Sequence, residues 1–370
     1  PSMNAKREIR FHLAPIAYLR AVSSFVHFGD SSHSEELFVL DLPELGLTRF
    51  MAEWTTVYHR DAETPGATVI AGFCAVADLP SDGPIDADRI VAKFRSSLDV
   101  LSVLFRQAVS LHGWTYTDDK TVSTWIDPLE PNLTPSAREG RGDFVARPQL
   151  FVECAEDLTQ AYARADKKTR SLVRHLSLAV NPHNNSRTAD RFMFMFSALE
   201  RVIESAWKRD QTPQTPAVTT AAVIKNLEQL QENVLAEGGE NASDISARLG
   251  GLIAVVNRPS VRDKFAAFFR VYPAMTCYSA DLWPALGSEK KRGLREIRHA
   301  LAHGRGSFIS LDVVAVAEWH LAILMERLVF VLLDLALPEG IFPHSFLLRT
   351  SGRGWYERDW WVPLQSKPDT

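Results

Sequence analysis

The sequence predicts an α+β protein: an N-terminal mixed α/β domain over residues 1–145, an all-α helical bundle over 150–338, and a short aromatic C-terminal tail over 339–370 that packs on the bundle. Three observations predict this layout. Runs rich in Val, Thr, Phe and Trp with partial alternation are confined to the first part of the chain. From residue 155 to residue 337 apolar residues recur instead at steps of three and four. Between the two regions, EPNLTPSAREGRGDFVARP (130–148) mixes Pro, Gly, Ser and charge without any period. At 370 residues the chain is long enough for two average domains, each with its own core.

ELFVLDL (36–42), RFMAEWTTVYHR (49–60) and ATVIAGFCAV (67–76) are expected strands, punctuated by the turn sequences PELG, ETPG and PSDGP. DADRIVAKFRSSLDVLSVLFRQAVSLHG (86–113) then places Ile90, Phe94, Leu98, Leu101 and Phe105 at helical spacing. Asp86 is its candidate cap and Gly113 lies just past its expected end. TYTDDKTVSTWID resumes strand character. In the helical half, residues 155–180 read as one helix with Leu158, Tyr162, Leu172 and Leu176 on one face. Residues 190–208 form the next, with Phe192, Phe196, Leu199 and Ile203 in register. AVTTAAVIKNLEQLQENVLAE (217–237), SDISARLGGLIAVVN, VRDKFAAFFRVY, a short helix near 293–303 and a long apolar one over 310–337 bring the expectation to six or seven helices. The tail reads as a hairpin around SGRG that lays Trp355, Trp360 and Trp361 over the bundle.

Composition removes several classes of function. With 41 basic and 45 acidic residues the formal charge is −4, which argues against coating nucleic acid over the whole surface, so any such site is a local patch. Cys74, Cys154 and Cys277 are far apart with no CxxC, which disfavours a disulfide framework or a cysteine zinc site. All three read as core, in a reducing, cytoplasmic setting. The apolar run 310–337 is interrupted by Asp312, Glu318, Glu326, Arg327 and Asp334 and is expected as a buried helix rather than a membrane span. PSMNAKREIR lacks the apolar stretch of a secretory signal, and Met3 reads as the native start. There is no GxSxG, Gly-rich phosphate loop or kinase signature. No cofactor or metal is expected.

The densest cluster of chemistry is LREIRHALAHGRG (294–306). A helix from Gly293 to His303, ended by Gly304, would turn Leu294, Ile297 and Leu301 to the core and His299 away from it. Arg298 and His303 would then stand about 140° apart around the axis. Lys290, Lys291, Arg292 and Arg295 precede or open this helix and Arg305 follows it, a local basic patch suited to holding an RNA backbone. Three readings stand side by side. The segment can be a solvated helix end, where the dipole favours positive charge. It can be a metal site built from Glu296, His299 and His303, although no HExxH is present and Arg295, Arg298 and Arg305 would repel a cation. Or RHALAH can be an R-x4-H motif with a polar residue directly after the Arg.

That motif lies near the end of one helix, before a long apolar helix and after the aromatic-rich FMFMFSALERVIESAW. In this order it resembles the HEPN superfamily, specifically the ApeA-like HEPN proteins of bacterial defence, over roughly residues 150–338. The resemblance implies an antiparallel helical bundle that forms a homodimer, so that two motifs meet at one cleft. It implies a metal-independent endoribonuclease acting on RNA, tRNA among the candidates, in anti-phage defence or abortive infection, with a phage-derived trigger acting through the N-terminal domain. It makes Arg298 and His303 catalytic, with His299 where Asn or Asp often follows the Arg. It also points to an acidic residue on an earlier helix that aims the Arg, and Glu200 fits better than Glu204, which can pair with Lys208 at i+4. The chemistry suits the residues: His transfers protons near neutrality, and the Arg fork binds phosphate oxygens through two N–H groups. His303, beside a helix C-terminus, suits a general acid or phosphate ligand more than a strong base. The alternative is a HEPN-type module that binds RNA or a nucleotide without cutting it; a structural dimerisation protein is a third reading.

Overall fold

The computed structural model describes residues 7–13, 33–59, 66–80, 85–106, 109–118, 121–126, 150–180, 188–210, 218–256, 258–287, 292–303, 309 and 311–338. Both the expected interdomain segment 130–148 and the tail 339–370 lie outside them.

Strands β1 (Glu8–Leu13), β2 (His33–Leu42), β3 (Gly46–His59), β4 (Gly66–Asp78), β5 (Leu111–Thr117) and β6 (Val122–Ile126) form one antiparallel sheet in the order β2-β3-β4-β1-β5-β6. β1, which is not among the strands expected from sequence, is an interior strand: Phe11 pairs with Ala75 of β4 on one side and Trp114 of β5 on the other. Its alternation is strict, with Ile9, Phe11 and Leu13 buried and Glu8, Arg10 and His12 on the opposite face. On that opposite face Arg10 is ion-paired with Glu53 and His12 shares a hydrogen bond with Thr115.

Helix α1 (Ala87–Phe105) covers the apolar face. Asp86 caps it, accepting from the Arg89 N–H at 3.0 Å, as expected from the sequence. Phe94 stacks on Phe11 with ring centroids 3.8 Å apart. The helix is shorter than 86–113: it stops at Phe105, and Arg106 takes a left-handed conformation with φ 50°. Gly113 belongs to β5 rather than to a helix end. A Cβ there would sit 2.4 Å from the Trp125 carbonyl oxygen, so the close approach of β6 is what requires glycine.

Nine helices follow among the described residues: α2 (Phe151–Arg164), α3 (Lys167–Val180), α4 (Thr188–Arg209), α5 (Val218–Glu237), α6 (Ala242–Val256), α7 (Val261–Val271), α8 (Ala274–Tyr278), α9 (Leu294–Ala302) and α10 (Leu311–Leu332). The expectation of six or seven fell short partly because 155–180 is two helices. Ala165 is extended (ψ 150°), and the Asp166 carboxylate accepts from the Thr169 N–H at 2.8 Å to start α3. The observed layout is therefore α+β, an antiparallel sheet followed by a helical region. No helix among the described residues is long and apolar enough to cross a membrane.

The chain divides into two compact units, Pro1–Leu199 with Tyr278–Thr370, and Glu200–Cys277, the division falling within α4. In the first unit Phe151 of α2 stacks on Phe105 and meets Phe38 edge-on, continuing the sheet's core into the helices. Arg106, just after α1, forms a buried ion pair with Glu326 of α10 at 2.9 Å. In the second unit α5 and α6 form a helical hairpin in which Gln231 Nε2 donates to the Ser246 carbonyl, and Arg270 of α7 pairs with Asp210. Cys74 and Cys154 are buried, and burial pushes both thiols up to about 12. Cys277 departs from the expected core location: it is exposed, on the short α8, whose buried residue is Met275.

Candidate functional site

The R-x4-H segment forms α9, a helix of only nine residues. So short a helix depends on its surroundings for stability, and its N-terminal end is held from several directions. Leu294 and Ile297 are fully buried. Backbone N–H groups of Leu294 and Arg295 donate to the carbonyls of Pro284 and Ala285 at 2.9 and 3.0 Å. Glu296 Oε2 accepts from the Gly293 N–H at 2.7 Å, half of a capping box and favourable beside the helix dipole. The indole Nε1 of Trp283 donates to the Arg292 carbonyl at 2.8 Å. Gly293 fits this bracket because it has no side chain: a Cβ would lie 2.3 Å from the Gly287 nitrogen and 2.5 Å from the Leu286 carbonyl carbon.

Trp283 is fixed in turn by α10. Its backbone N–H donates to His320 Nδ1 at 3.1 Å, and burial pulls the His320 imidazole down to about 4, so it acts as a neutral acceptor. Two residues earlier on α10, Glu318, 5% exposed, pairs with Arg191 of α4 at 2.8 Å. Arg327 pairs with Asp281 just ahead of Trp283, and this pair, opposed by the desolvation of its partly buried carboxylate, holds the Asp281 carboxyl below its ordinary value.

The far end of α9 is presented differently. His299 and His303 are both exposed. The His303 N–H donates to the His299 carbonyl at 3.1 Å as the helix closes, and the two imidazoles stand 4.2 Å apart between ring centroids. Arg298, on the same helix, is half-buried with its Nε inside the protein. The structure thus brings His299 and His303 together, as helical i,i+4 spacing dictates. Leu301, expected on the core face, is only half-buried. Glu296 points to the helix start through its bond to Gly293 rather than along a ligand set with the histidines. Among the described residues no group of three or more His, Cys, Asp or Glu is placed to hold a metal ion.

The basic patch is described only in part. Arg292 is half-buried and Arg295 exposed, while Lys290, Lys291 and Arg305 lie outside the described residues. Glu200 is half-buried on α4 and belongs to the second compact unit, whereas Arg298 belongs to the first. Glu204 pairs with Lys264 and, at i+4, with Lys208, which together hold its carboxyl below the ordinary value. Trp283 and His320, the supports of α9, are not among the residues expected from sequence. A single histidine inside the most apolar stretch of the chain, AEWHLAI, was the available signal.

No protein family, curated protein or solved structure matches the chain.

Proposed function

We propose that the chain is a metal-independent endoribonuclease of the HEPN type, with α9 as its working element. The observation that carries this reading is the pair of exposed imidazoles 4.2 Å apart at one end of a helix whose other end is locked in place. In the proposed reaction one imidazole takes the proton of the substrate's 2′-hydroxyl and the 2′-oxygen attacks the adjacent phosphorus. The bond from phosphorus to the 5′-oxygen breaks, and the other imidazole, as imidazolium, protonates that oxygen. Arg298 is the residue proposed to hold the non-bridging oxygens as charge builds on them. His303 is the proposed acid because it stands at the helix C-terminus. The products are a 2′,3′-cyclic phosphate and a 5′-hydroxyl.

In this proposal the helical region is a HEPN bundle that pairs with a second copy, the N-terminal region responds to a trigger, and the role is defence against phage in the cytoplasm. R-x4-H and its helix order support these parts through resemblance. The test is end-group analysis of total tRNA and of a generic single-stranded RNA after incubation with the full chain in EDTA. Cyclic-phosphate and 5′-hydroxyl ends are expected, with no cleavage of the same oligonucleotide carrying 2′-hydrogen throughout. Cleavage of that deoxy substrate at the same rate would refute 2′-hydroxyl attack.

A further inference from the structure

Helix α3 is the most cationic helix among the described residues. KKTRSLVRHLSLAV holds Lys167, Lys168, Arg170, Arg174 and His175 without one Asp or Glu, in a chain where acidic residues outnumber basic ones, 45 to 41. Leu172, Val173, Leu176, Ser177, Ala179 and Val180 form its buried side. Lys167, Arg170 and Arg174, at i, i+3 and i+7, share one outward stripe about 10 Å long, flanked by Lys168. Lys167 and Lys168 stand in the first turn, directly after the capping Asp166, whose carboxylate accepts from the Thr169 N–H at 2.8 Å. Among the described residues the ion pair on this stripe joins Arg174 to Asp99 at 3.2 Å, and the Arg174 side chain stays 64% exposed.

A second, independent feature adjoins the first. Phe194 of α4 is 45% exposed, and its ring lies 6.0 Å from that of His175. It is the exposed large hydrophobic of the described residues between 150 and 210. Cationic side chains that track a backbone beside an aromatic ring open to solvent are what single-stranded nucleic acid requires, phosphates on the charges and an unstacked base on the ring. A membrane surface would need several apolar side chains on the same face, and a duplex keeps its bases stacked away from such a ring.

We propose that the outward face of α3, with Phe194 and His175, binds single-stranded RNA, Lys167, Lys168, Arg170 and Arg174 taking phosphates while a base stacks on Phe194. RNA rather than DNA as the ligand rests on the nuclease reading above; the charge and ring geometry does not.

The experiment is binding of the full chain to a short labelled 2′-O-methyl RNA, which cannot be cut through its 2′-oxygen, followed by fluorescence anisotropy across a range of KCl concentrations. The double variant Lys167→Ala, Arg170→Ala is expected to lower the slope of log affinity against log salt by about 1.4, near 0.7 for each phosphate that is no longer neutralised. Phe194→Ala is expected to weaken binding roughly tenfold with the slope unchanged, and Phe194→Tyr to restore it. Since these side chains are exposed, thermal midpoints should stay at the wild-type value. Wild-type slope in the double variant, wild-type affinity in Phe194→Ala, absence of binding, or α3-dependent capture of phosphatidylserine vesicles instead of RNA would each overturn the proposal. A wild type that binds as expected yet cuts no RNA sinks the nuclease reading alone; one that cuts RNA while the α3 variants bind normally sinks this surface alone.

Discussion

Helices α9 and α10 follow one another in the chain and use their polar residues in opposite ways. In α10, Glu318, His320 and Glu326 are at most 6% exposed, and each is matched to a partner: Arg191, the Trp283 N–H and Arg106. In α9 the apolar residues Leu294 and Ile297 make the buried face, while Arg295, His299 and His303 are exposed. A buried ionisable group is costly unless its partner is fixed, so α10 ties neighbouring elements into one arrangement. The histidine that holds the start of α9 in place is thus on α10, and the exposed histidines are on α9 and at its C-cap.

The largest way to break this contrast is at the buried pair. Glu326→Leu removes the carboxylate paired with the buried Arg106 guanidinium and should cost about 3–5 kcal/mol in denaturant unfolding, while Arg106→Met with Glu326→Met together should recover most of that. A single variant of near wild-type stability would show that the pair fixes nothing.

The next effect is in pH. His320 titrates at about 4 in the fold against 6.5 in the open chain, so between those values the unfolded state binds the extra proton. Stability is therefore lost as pH falls from about 6.5 towards 4, by about 3 kcal/mol in all, and is flat with respect to this group above that window. His320→Asn, whose side-chain oxygen can still accept from the Trp283 N–H, should remove this slope; a slope that survives would assign the pH response elsewhere.

Gly293→Ala forces a methyl group into backbone atoms of 286 and 287. It should cost roughly 2 kcal/mol and speed amide exchange across α9 before it affects α1. Smallest of all, His299→Ala and His303→Ala should each change stability by less than about 0.5 kcal/mol, because both side chains are exposed. A loss like that of Glu326→Leu would show that they support the fold.

Much of the fold is legible in local sequence. Asp86 marks the start of α1, the spacing of Phe192, Phe196 and Leu199 places them in the core, and the interrupted apolar run 310–337 contains the buried α10, which ends at Leu332, ahead of Asp334 in a left-handed conformation. β1 is less legible, because its alternation occupies only Glu8–Leu13 and directly follows a basic N-terminal stretch. The break at Ala165 hides inside a continuous helical pattern, since Asp166 acts through a cap and not through hydrophobic spacing. At the site, the buried face of α9 and the outward His299 can be read from helical geometry. The bracket of Trp283 and His320 cannot, because its hydrogen bonds join residues that no local pattern relates. The cationic face of α3 stands in plain view in KKTRSLVRH, but the pattern of Leu172 and Leu176 draws attention to its other side.

The most direct test of α9 as the working element is cleavage of labelled single-stranded RNA in EDTA by the wild type, Arg298→Ala and His303→Ala, each first shown to have the wild-type unfolding midpoint. Cyclic-phosphate products are expected from the wild type, with a loss of at least about a hundredfold in each variant. Cleavage that persists undiminished in both variants would contradict a catalytic role for this helix.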